Sequence, residues 1–163
     1  MRKAVFFVAT NPVAYRKLQA EIDAVAVKAN LSPLNAAPNY QLRAMPYLQA
    51  AIKEVLRLWP PVMGLTARMS HRDDVISGVP LSTDTHVAWA LWAITKNQDV
   101  FGADADAFVP ELWLDPDRER VKKMADVQGL VFAGGSRWEC LGKRLAYTEL
   151  GKTMFEVSAA SCP

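Results

Sequence analysis

The stretch FAGGSRWECLGKRLA, residues 132–146, holds one of the two cysteines in the chain. Cys140 follows a glycine-rich loop with one arginine and precedes a run of residues that is typical of a helix. A thiol in such a place is an inert small apolar group, a disulfide partner or a metal ligand. Each role gives the chain a different function, so the rest of the sequence has to choose among them.

Composition restricts the class of protein. The chain has 163 residues, of which 51% are hydrophobic and 22% charged, a balance typical of a globular protein with a core. A net charge of +2, without a basic run interleaved with aromatic residues, argues against nucleic acid as a partner. Two cysteines, Cys140 and Cys162, are too few for a disulfide framework, and this number suits a reducing compartment. A single disulfide bond between the two is the alternative.

The N-terminus carries Arg2 and Lys3 ahead of a short apolar run, residues 4–9. This run is shorter than the roughly seven to fifteen residues of a signal-peptide core, and no small-residue cleavage site follows it. We therefore predict the end of a buried helix. Because no stretch approaches the roughly twenty apolar residues of a membrane-spanning helix, we expect neither a signal peptide nor a membrane anchor in this chain.

Two amphipathic helices are predicted in the N-terminal part. Asn11 and Pro12 form a helix start, and an apolar stripe with steps of three and four follows. That stripe consists of Tyr15, Leu18, Ile22 and Val25. A loop is predicted over residues 30–39. A second helix comes next and stops at Pro60 and Pro61. Its apolar face consists of Leu48, Ile52, Val55 and Trp59.

The residue pattern changes from helical to β-type and then to irregular in the C-terminal part. Short β-type runs extend from Gly64 to Trp92 and are separated by the turn sequences SGVP and STDT. A loop-rich, irregular region with Pro110 follows, and a final helix starts at about Gly142. The predicted order is therefore helices, a small β region, an irregular meander and a last helix, which gives a mainly α fold.

Glu54 and Arg57 lie three residues apart on the second helix and therefore on one face. Taken alone, such a pair is most often a solvated surface ion pair that contributes little to stability. Leu56, Leu58 and Trp59 surround this pair with apolar bulk. A partly buried, structural pair is therefore the alternative.

Several motifs in order resemble the cytochrome P450 superfamily of heme-thiolate monooxygenases. KEVLRLWPP resembles its Glu-x-x-Arg helix, and FAGGSRWECLGKRLA resembles its cysteine loop, F-x-x-G-x-R-x-C-x-G. VFGADADAFVPELWL is similar to the segment before that loop, and NPVAYRKLQAEID to the helix after the long oxygen-side helix, particularly in fungal members.

The resemblance implies a mainly α, partial P450 fold with a small β region. Its parts are the end of the long distal helix, the Glu-x-x-Arg helix, a β segment, the meander, the cysteine loop and the proximal helix. Residues 1–163 would form a single partial domain, the heme-proximal portion. The N-terminal portion and the C-terminal end of the family fold would lie outside this chain.

The resemblance also implies that Cys140 is the axial ligand of a heme b iron. A thiolate ligand pushes electron density onto the iron and favours O–O cleavage, and a position before a helix stabilises an anionic sulfur. Arg137 and Arg68 would pair with the heme propionates, for which a forked guanidinium is suited. The other implied cofactor-binding residues are Phe132, Gly135 and Gly142, and the glycines allow the backbone to approach the porphyrin.

The cysteine loop departs from the family pattern. Trp138 and Glu139 both stand between Arg137 and Cys140, where the family has one residue. When the family pattern is aligned from its first residues, Glu139 falls in the ligand position; when it is aligned from its last residues, Cys140 does. Because glutamate cannot supply a thiolate, Cys140 is the candidate ligand. One added residue lengthens the chain by up to about 3.5 Å, so we expect the loop to bulge around the glycines. Ala133 also replaces the usual first glycine.

A second departure is Leu112 in PELWL, where the family has an arginine that completes a triad with the Glu-x-x-Arg pair. We therefore expect Glu54 and Arg57 to be left to satisfy each other. If the pair is buried, the loss of a partner would weaken the scaffold by about 3 to 5 kcal/mol.

The function that the resemblance implies is a monooxygenase that inserts one oxygen atom of O2 into a small lipophilic substrate. Electrons would come from an NADPH-dependent reductase, and a basic face near the cysteine is a candidate docking site, with plain solvated charge as the alternative. This face consists of Lys122, Lys123, Lys143 and Arg144. A full-length member would lie at the endoplasmic reticulum membrane, and this chain would face the cytosol. The alternative function is a truncated, non-catalytic remnant, a helical protein that binds other chains without heme.

Overall fold

The computed structural model describes residues 1–28, 37–63 and 66–160. Eight α-helices, two short 3-10 segments and four short strands lie in these ranges. The prediction of a mainly α fold with a small β region is therefore confirmed. Residues 30–36 of the predicted loop, and Cys162, lie outside the described residues.

The first two helices form as predicted, but the expectation that the first is buried is wrong, because only Ala4 and Val8 of it are buried and Phe6 is 53% exposed. Helix α1 spans Arg2–Ala9 and turns its small buried residues towards the core. Helix α2 spans Pro12–Lys28. The side-chain oxygen of Asn11 caps it by accepting a hydrogen bond from the Ala14 amide at 3.0 Å. The predicted apolar stripe of α2 contributes to the core through Tyr15, Leu18, Ile22 and Val25.

Helix α3 spans Asn39–Arg43, and helix α4 spans Pro46–Leu58. A carboxylate from α2 caps α4, because Glu21 accepts hydrogen bonds from the amides of Tyr47 and Leu48 at 2.9 and 2.8 Å. These amides belong to the first turn of α4, where backbone N–H groups have no partner within the helix. The cap therefore fixes the start of α4 against α2.

Helix α4 is buried on almost every side, which exceeds the single apolar face predicted for it. The predicted face is wrong at Trp59, which lies just beyond the helix and is 39% exposed. Its backbone, with φ −136° and ψ 73°, is not helical. The cause is Pro60, since a residue before proline is disfavoured in the α conformation.

The β region consists of two antiparallel ribbons. Strand β1 pairs with β4, so that Arg68 lies opposite Val87, and β2 pairs with β3. The four strands are β1 Thr66–Met69, β2 Asp74–Ile76, β3 Val79–Leu81 and β4 His86–Trp89. The prediction of β structure up to Trp92 is too long, because Trp92 lies in the short helix α5, Leu91–Ile94.

The region predicted to be an irregular meander is partly helical. It contains the short helix α6, Gln98–Phe101, a 3-10 segment, Pro110–Leu114, and the helix α7, Arg118–Gly129. The prediction is wrong at α7, and the overlooked signal is the cap. Asp117 accepts hydrogen bonds from the amides of Glu119 and Arg120 at 3.0 and 3.1 Å.

A second 3-10 segment, Leu130–Phe132, leads from α7 to the cysteine loop, and the final helix α8 spans Lys143–Ala160, as predicted. One apolar core lies among α1, α2, α4 and α8. A smaller one lies where α4 meets the meander and α7, and it consists of Ala50, Phe101, Ala105, Trp113 and Met124. Within the described ranges, no helix is long and apolar enough to cross a membrane.

Candidate functional site

The cysteine loop connects α7 to α8 and folds back on itself. Its two ends are joined by a hydrogen bond from the Cys140 amide to the Phe132 carbonyl at 2.9 Å. At its start, the Gly134 amide donates to the Gly129 carbonyl at 2.9 Å. A Cβ atom on Gly134 would lie 3.0 Å from that carbonyl oxygen. Gly134 therefore allows a close approach between two backbone segments.

Two consecutive turns take up the length between these ends. The first runs across the glycines from Ala133 to Ser136, and the second runs from Ser136 to Glu139, whose amide donates to the Ser136 carbonyl at 3.1 Å. Ala133 and Gly135 both have positive φ, 52° and 74°. Gly135 adopts this conformation freely, whereas the Cβ of Ala133 is disfavoured there.

The side chain of Glu139 binds the start of α8. Its Oε1 lies 2.9 Å from Lys143 Nζ in an exposed i,i+4 ion pair. The hydrogen bond from Lys143 lowers the pKa of Glu139 from its ordinary value. Glu139, the other residue that the family pattern allows in the ligand position, is therefore paired with Lys143. Cys140 remains the candidate ligand.

Cys140 presents an exposed thiol just before α8. Its carbonyl accepts a hydrogen bond from the Lys143 amide at 3.3 Å, and its Sγ lies near Gly142, where a Cβ atom would approach the sulfur to 3.6 Å. Cys140 lines an open groove that also contains the basic residues Arg43, Lys143 and Arg144 and the carboxylate of Glu139.

The two arginines predicted to pair with propionates meet at one aromatic ring. The guanidinium carbon of Arg68 lies 5.8 Å from the centre of the Trp138 ring, and that of Arg137 lies 4.7 Å from it. Arg68 is on strand β1, far along the sequence from the cysteine loop. The fold therefore brings a second exposed cation, Arg68, to the loop that carries Arg137 and Cys140.

The other predicted cofactor-binding residues occupy different environments. Phe132 is buried, with its ring centre 6.1 Å from that of Tyr147, and Gly142 is exposed. Next to the cysteine, Leu141 is 100% exposed and Leu145 is 60% exposed. Such apolar side chains are suited to cover a flat apolar ligand.

This donor set fits a heme better than a bare metal ion. Among the described residues, no group of three His, Cys, Asp or Glu side chains is placed to hold a metal ion. A single thiol suffices where a macrocycle supplies the remaining ligands, as in heme-thiolate proteins. Two arginines at the loop complement two carboxylates.

The predicted basic face is only partly assembled. Lys143 and Arg144 line the groove that contains Cys140, whereas Lys122 lines a separate groove beside Trp113. Arg43, on α3, joins Lys143 and Arg144 in this groove and was not predicted from the sequence. Its contribution depends on packing of α3 against α8, for which the local sequence carries no signal.

The Glu54–Arg57 pair is completely buried, with both side chains 0% exposed. Arg57 donates from Nε and Nη2 to the two carboxylate oxygens at 2.8 and 2.7 Å. Its other N–H groups reach the backbone carbonyls of Thr95, Ala105 and Ala107. One arginine thereby fastens α4 to the meander.

The expectation that Glu54 and Arg57 satisfy only each other is wrong. Glu54 also accepts hydrogen bonds from the Val109 amide at 3.0 Å and from Trp113 Nε1 at 2.9 Å. Leu112 itself packs against the smaller apolar core. The expected loss of a partner for the pair therefore does not occur.

Comparison with known proteins identifies the family. A family model described as Cytochrome P450 matches residues 1–157. The chain belongs to the cytochrome P450 family. Members of this family generally bind heme iron through a thiolate, take electrons from a redox partner and act on lipophilic substrates.

Several curated fungal proteins are similar to this P450 chain. It is 38% identical over 158 residues to "Cytochrome P450 monooxygenase ABA1" of Pyricularia oryzae, which covers 96% of this chain and 30% of that protein. It is 39% identical over 143 residues to "Cytochrome P450 monooxygenase cicH" of Emericella nidulans, covering 87% and 28%. It is 35% identical over 155 residues to "Pisatin demethylase" of Fusarium vanettenii, covering 94% and 28%. The chain spans less than a third of the length of these relatives.

Proposed function

We propose that this chain is the heme-proximal part of a P450 monooxygenase and that Cys140 is the axial thiolate ligand of heme b. The observation that carries the proposal is the meeting of Arg68 and Arg137 at the Trp138 ring, two residues before Cys140. Two separate segments thus supply cations where a thiol is exposed. Residues 1–163 would form a single partial domain of the complete protein.

Each residue at the site has a role in this proposal. The heme, when bound, supplies the oxygen chemistry, and the thiolate of Cys140 supplies electron density to the iron. Arg68 and Arg137 would each bind one propionate carboxylate of the heme, and Leu141 and Leu145 would cover its apolar surface. Phe132 anchors the loop in the core, while Gly135 and Gly142 leave room for the backbone to turn.

The groove at Cys140 provides a docking surface for the electron donor. Its basic residues Arg43, Lys143 and Arg144 complement an acidic protein surface and raise the rate of association at low salt. The donor would be an NADPH-dependent reductase, and the substrate of the complete enzyme a small lipophilic molecule that gains one oxygen atom. The complete protein would lie at the endoplasmic reticulum membrane.

Carbon monoxide binding tests the ligand. The chain is supplied with heme, reduced and exposed to carbon monoxide, and we expect the red-shifted Soret band of thiolate ligation. Cys140→Ala should abolish that band, while Cys162→Ala, the matched control, should keep it. A band unchanged by Cys140→Ala would contradict the assignment. Failure of the chain to take up heme would favour the alternative, a remnant that binds other chains.

Heme affinity tests the two arginines. Arg68→Ala and Arg137→Ala should each weaken binding by roughly ten- to a hundredfold, because each removes a charge-assisted hydrogen bond to a carboxylate. Arg72, an exposed arginine beyond β1, provides the control, and Arg72→Ala should leave the affinity unchanged. Equal effects at all three positions would indicate a general loss of positive charge rather than propionate binding.

A further inference from the structure

The hydroxyl group of Ser136 connects the two turns of the cysteine loop. It donates to the Ala133 carbonyl at 2.7 Å, which belongs to the first turn. It also accepts a hydrogen bond from the Trp138 amide at 3.1 Å, which belongs to the second turn. Ser136 is both the last residue of the first turn and the first residue of the second. One side chain therefore joins the two turns where their backbones meet.

The second turn takes up about the length of one residue. A turn of four residues keeps its first and last Cα atoms within about 7 Å, whereas three extended residue steps span about 10 Å. The difference of about 3 Å is close to the length that one added residue contributes. This turn contains Trp138 and Glu139, the two residues that stand where the family pattern has one. Directly after it, the Cys140 amide reaches the Phe132 carbonyl at 2.9 Å.

We infer that Ser136 is a positioning residue for the thiol of Cys140, because its hydroxyl group closes the turn that brings Cys140 back to Phe132. The amide at the third position of a turn has no acceptor in the backbone of that turn, and a serine hydroxyl two residues earlier supplies one. The Trp138 amide is such a group. The relevance of this device to heme rests on the proposed function of Cys140.

The same turn determines where Arg137 lies. Arg137 and Trp138 are its two central residues, and the guanidinium carbon lies 4.7 Å from the centre of the indole ring. Arg68 approaches that ring from β1 at 5.8 Å. If the turn opened, the indole ring and the thiol would move together. The Ser136 hydroxyl group therefore holds Cys140 and the meeting point of the two arginines in one arrangement.

Hydrogen exchange of the Cys140 amide tests the inference in the heme-free chain. Ser136→Ala removes both hydroxyl contacts, so this amide should exchange roughly five- to tenfold faster, as for the net loss of a hydrogen bond. Ser136→Thr keeps the hydroxyl group at an exposed position and should restore the wild-type rate. An unchanged rate in Ser136→Ala, or a rate in Ser136→Thr equal to that in Ser136→Ala, would overturn the inference.

Two controls separate the turn from general stability. Ser70 donates its hydroxyl group to the Arg72 carbonyl in a turn after β1, and Ser70→Ala should leave the exchange of the Cys140 amide unchanged. The Met154 amide, inside α8, reports opening of the whole chain and should exchange at the same rate in all variants. Equal acceleration of the Cys140 and Met154 amides in Ser136→Ala would contradict the inference.

Deletion of Glu139 tests the connection with the added residue. The shortened loop has the family spacing and no longer needs the second turn, so Ser136→Ala in this background should change the exchange of the Cys140 amide less than about twofold. An acceleration as large as that in the chain with Glu139 would overturn the inference. If the shortened chain does not fold, the comparison of Ser136→Ala with Ser136→Thr decides.

Carbon monoxide binding gives a spectroscopic readout in the reduced chain supplied with heme. Ser136→Ala should lower the share of heme that shows the red-shifted Soret band of thiolate ligation, and Ser136→Thr should restore it. An undiminished band in Ser136→Ala would contradict a role in placing the ligand. If the Cys140 amide responds as expected but no chain shows the band, Ser136 positions Cys140 and the assignment of Cys140 as heme ligand fails.

Discussion

Glu54 and Arg57 form a bidentate ion pair in the interior, with Nη2 2.7 Å from Oε1 and Nε 2.8 Å from Oε2. The pair connects α4 to three carbonyls of the meander and to two donors around the 3-10 segment. A buried ion pair contributes little in itself, but the loss of one partner leaves an uncompensated charge in the interior. The pair therefore determines whether the meander can stay packed.

Glu54→Gln should lower the free energy of unfolding by about 3 to 5 kcal/mol, because Arg57 keeps its charge without a counter-ion. Since small domains have a total of about 5 to 15 kcal/mol, the variant is expected to be close to unfolding at room temperature. Urea denaturation followed by circular dichroism measures the change. Asp106→Asn, which breaks the more exposed Lys96–Asp106 pair, is the control and should cost no more than about 1 kcal/mol.

Ala133→Gly should stabilise the chain by about 0.5 to 1 kcal/mol. Ala133 has a left-handed backbone with φ 52° and ψ 36°. This conformation costs free energy for an L-residue with a Cβ but not for glycine. The control is Ala20→Gly at an exposed interior position of α2, where the same substitution should cost about 0.5 to 1 kcal/mol. Denaturation midpoints that move in the same direction for both variants would refute the account of Ala133.

Asp117→Ala should destabilise the chain by about 0.5 to 2 kcal/mol, because two amides of the first turn of α7 lose their acceptor. Asp126→Ala, at an exposed position within the same helix, should be neutral or slightly stabilising, since alanine favours helix. Thermal unfolding of both variants measures the difference. A cost of Asp126→Ala as large as that of Asp117→Ala would show that the loss of negative charge, rather than of the cap, matters.

Helices with an apolar stripe were predictable because their periodicity is local. The stripe of α2, with Leu18 and Ile22 at its centre, and the start of α8 both agree with the structure. Helix α7 was missed because it is strongly polar and its apolar residues are few, so only the cap at Asp117 signals it. A pattern read from hydrophobic residues does not detect such a helix.

The candidate site could be proposed from the sequence as a list of residues, which stays a prediction, but its network of contacts could not. The family motifs point to Cys140, Arg137 and the Glu54–Arg57 pair along the sequence. The partners of Glu54 could not be deduced, because Val109 and Trp113 reach it only through the packing of the 3-10 segment on α4. Spacing along a helix relates neighbours three or four residues apart, whereas these contacts span more than fifty residues.

Glu111 should make the stability of the chain depend on pH in the acidic range. Its Oε1 accepts hydrogen bonds from Lys17 on α2 at 2.6 Å and from the Tyr47 hydroxyl at 3.0 Å. Burial by itself would raise the pKa of Glu111, but these hydrogen bonds and the charge of Lys17 outweigh it and lower the pKa below 4.5. The ionised form is therefore favoured in the folded state.

A carboxyl whose pKa is lowered on folding stabilises the protein fully above its unfolded pKa and loses this contribution as the pH falls through its folded pKa. The free energy of unfolding of the wild-type chain should therefore exceed that of Glu111→Gln by a constant amount from neutral pH down to about 5, and the difference should shrink below the ordinary pKa of 4.5. Urea titrations at a series of pH values measure it. Lys17→Met removes one cause of the lowered pKa of Glu111. In a chain that carries Lys17→Met, Glu111→Gln should therefore change the free energy of unfolding by less, and this change should disappear at a higher pH than in the wild-type chain. A difference that grows as the pH falls would mean that the neutral form of Glu111 is the one favoured by folding.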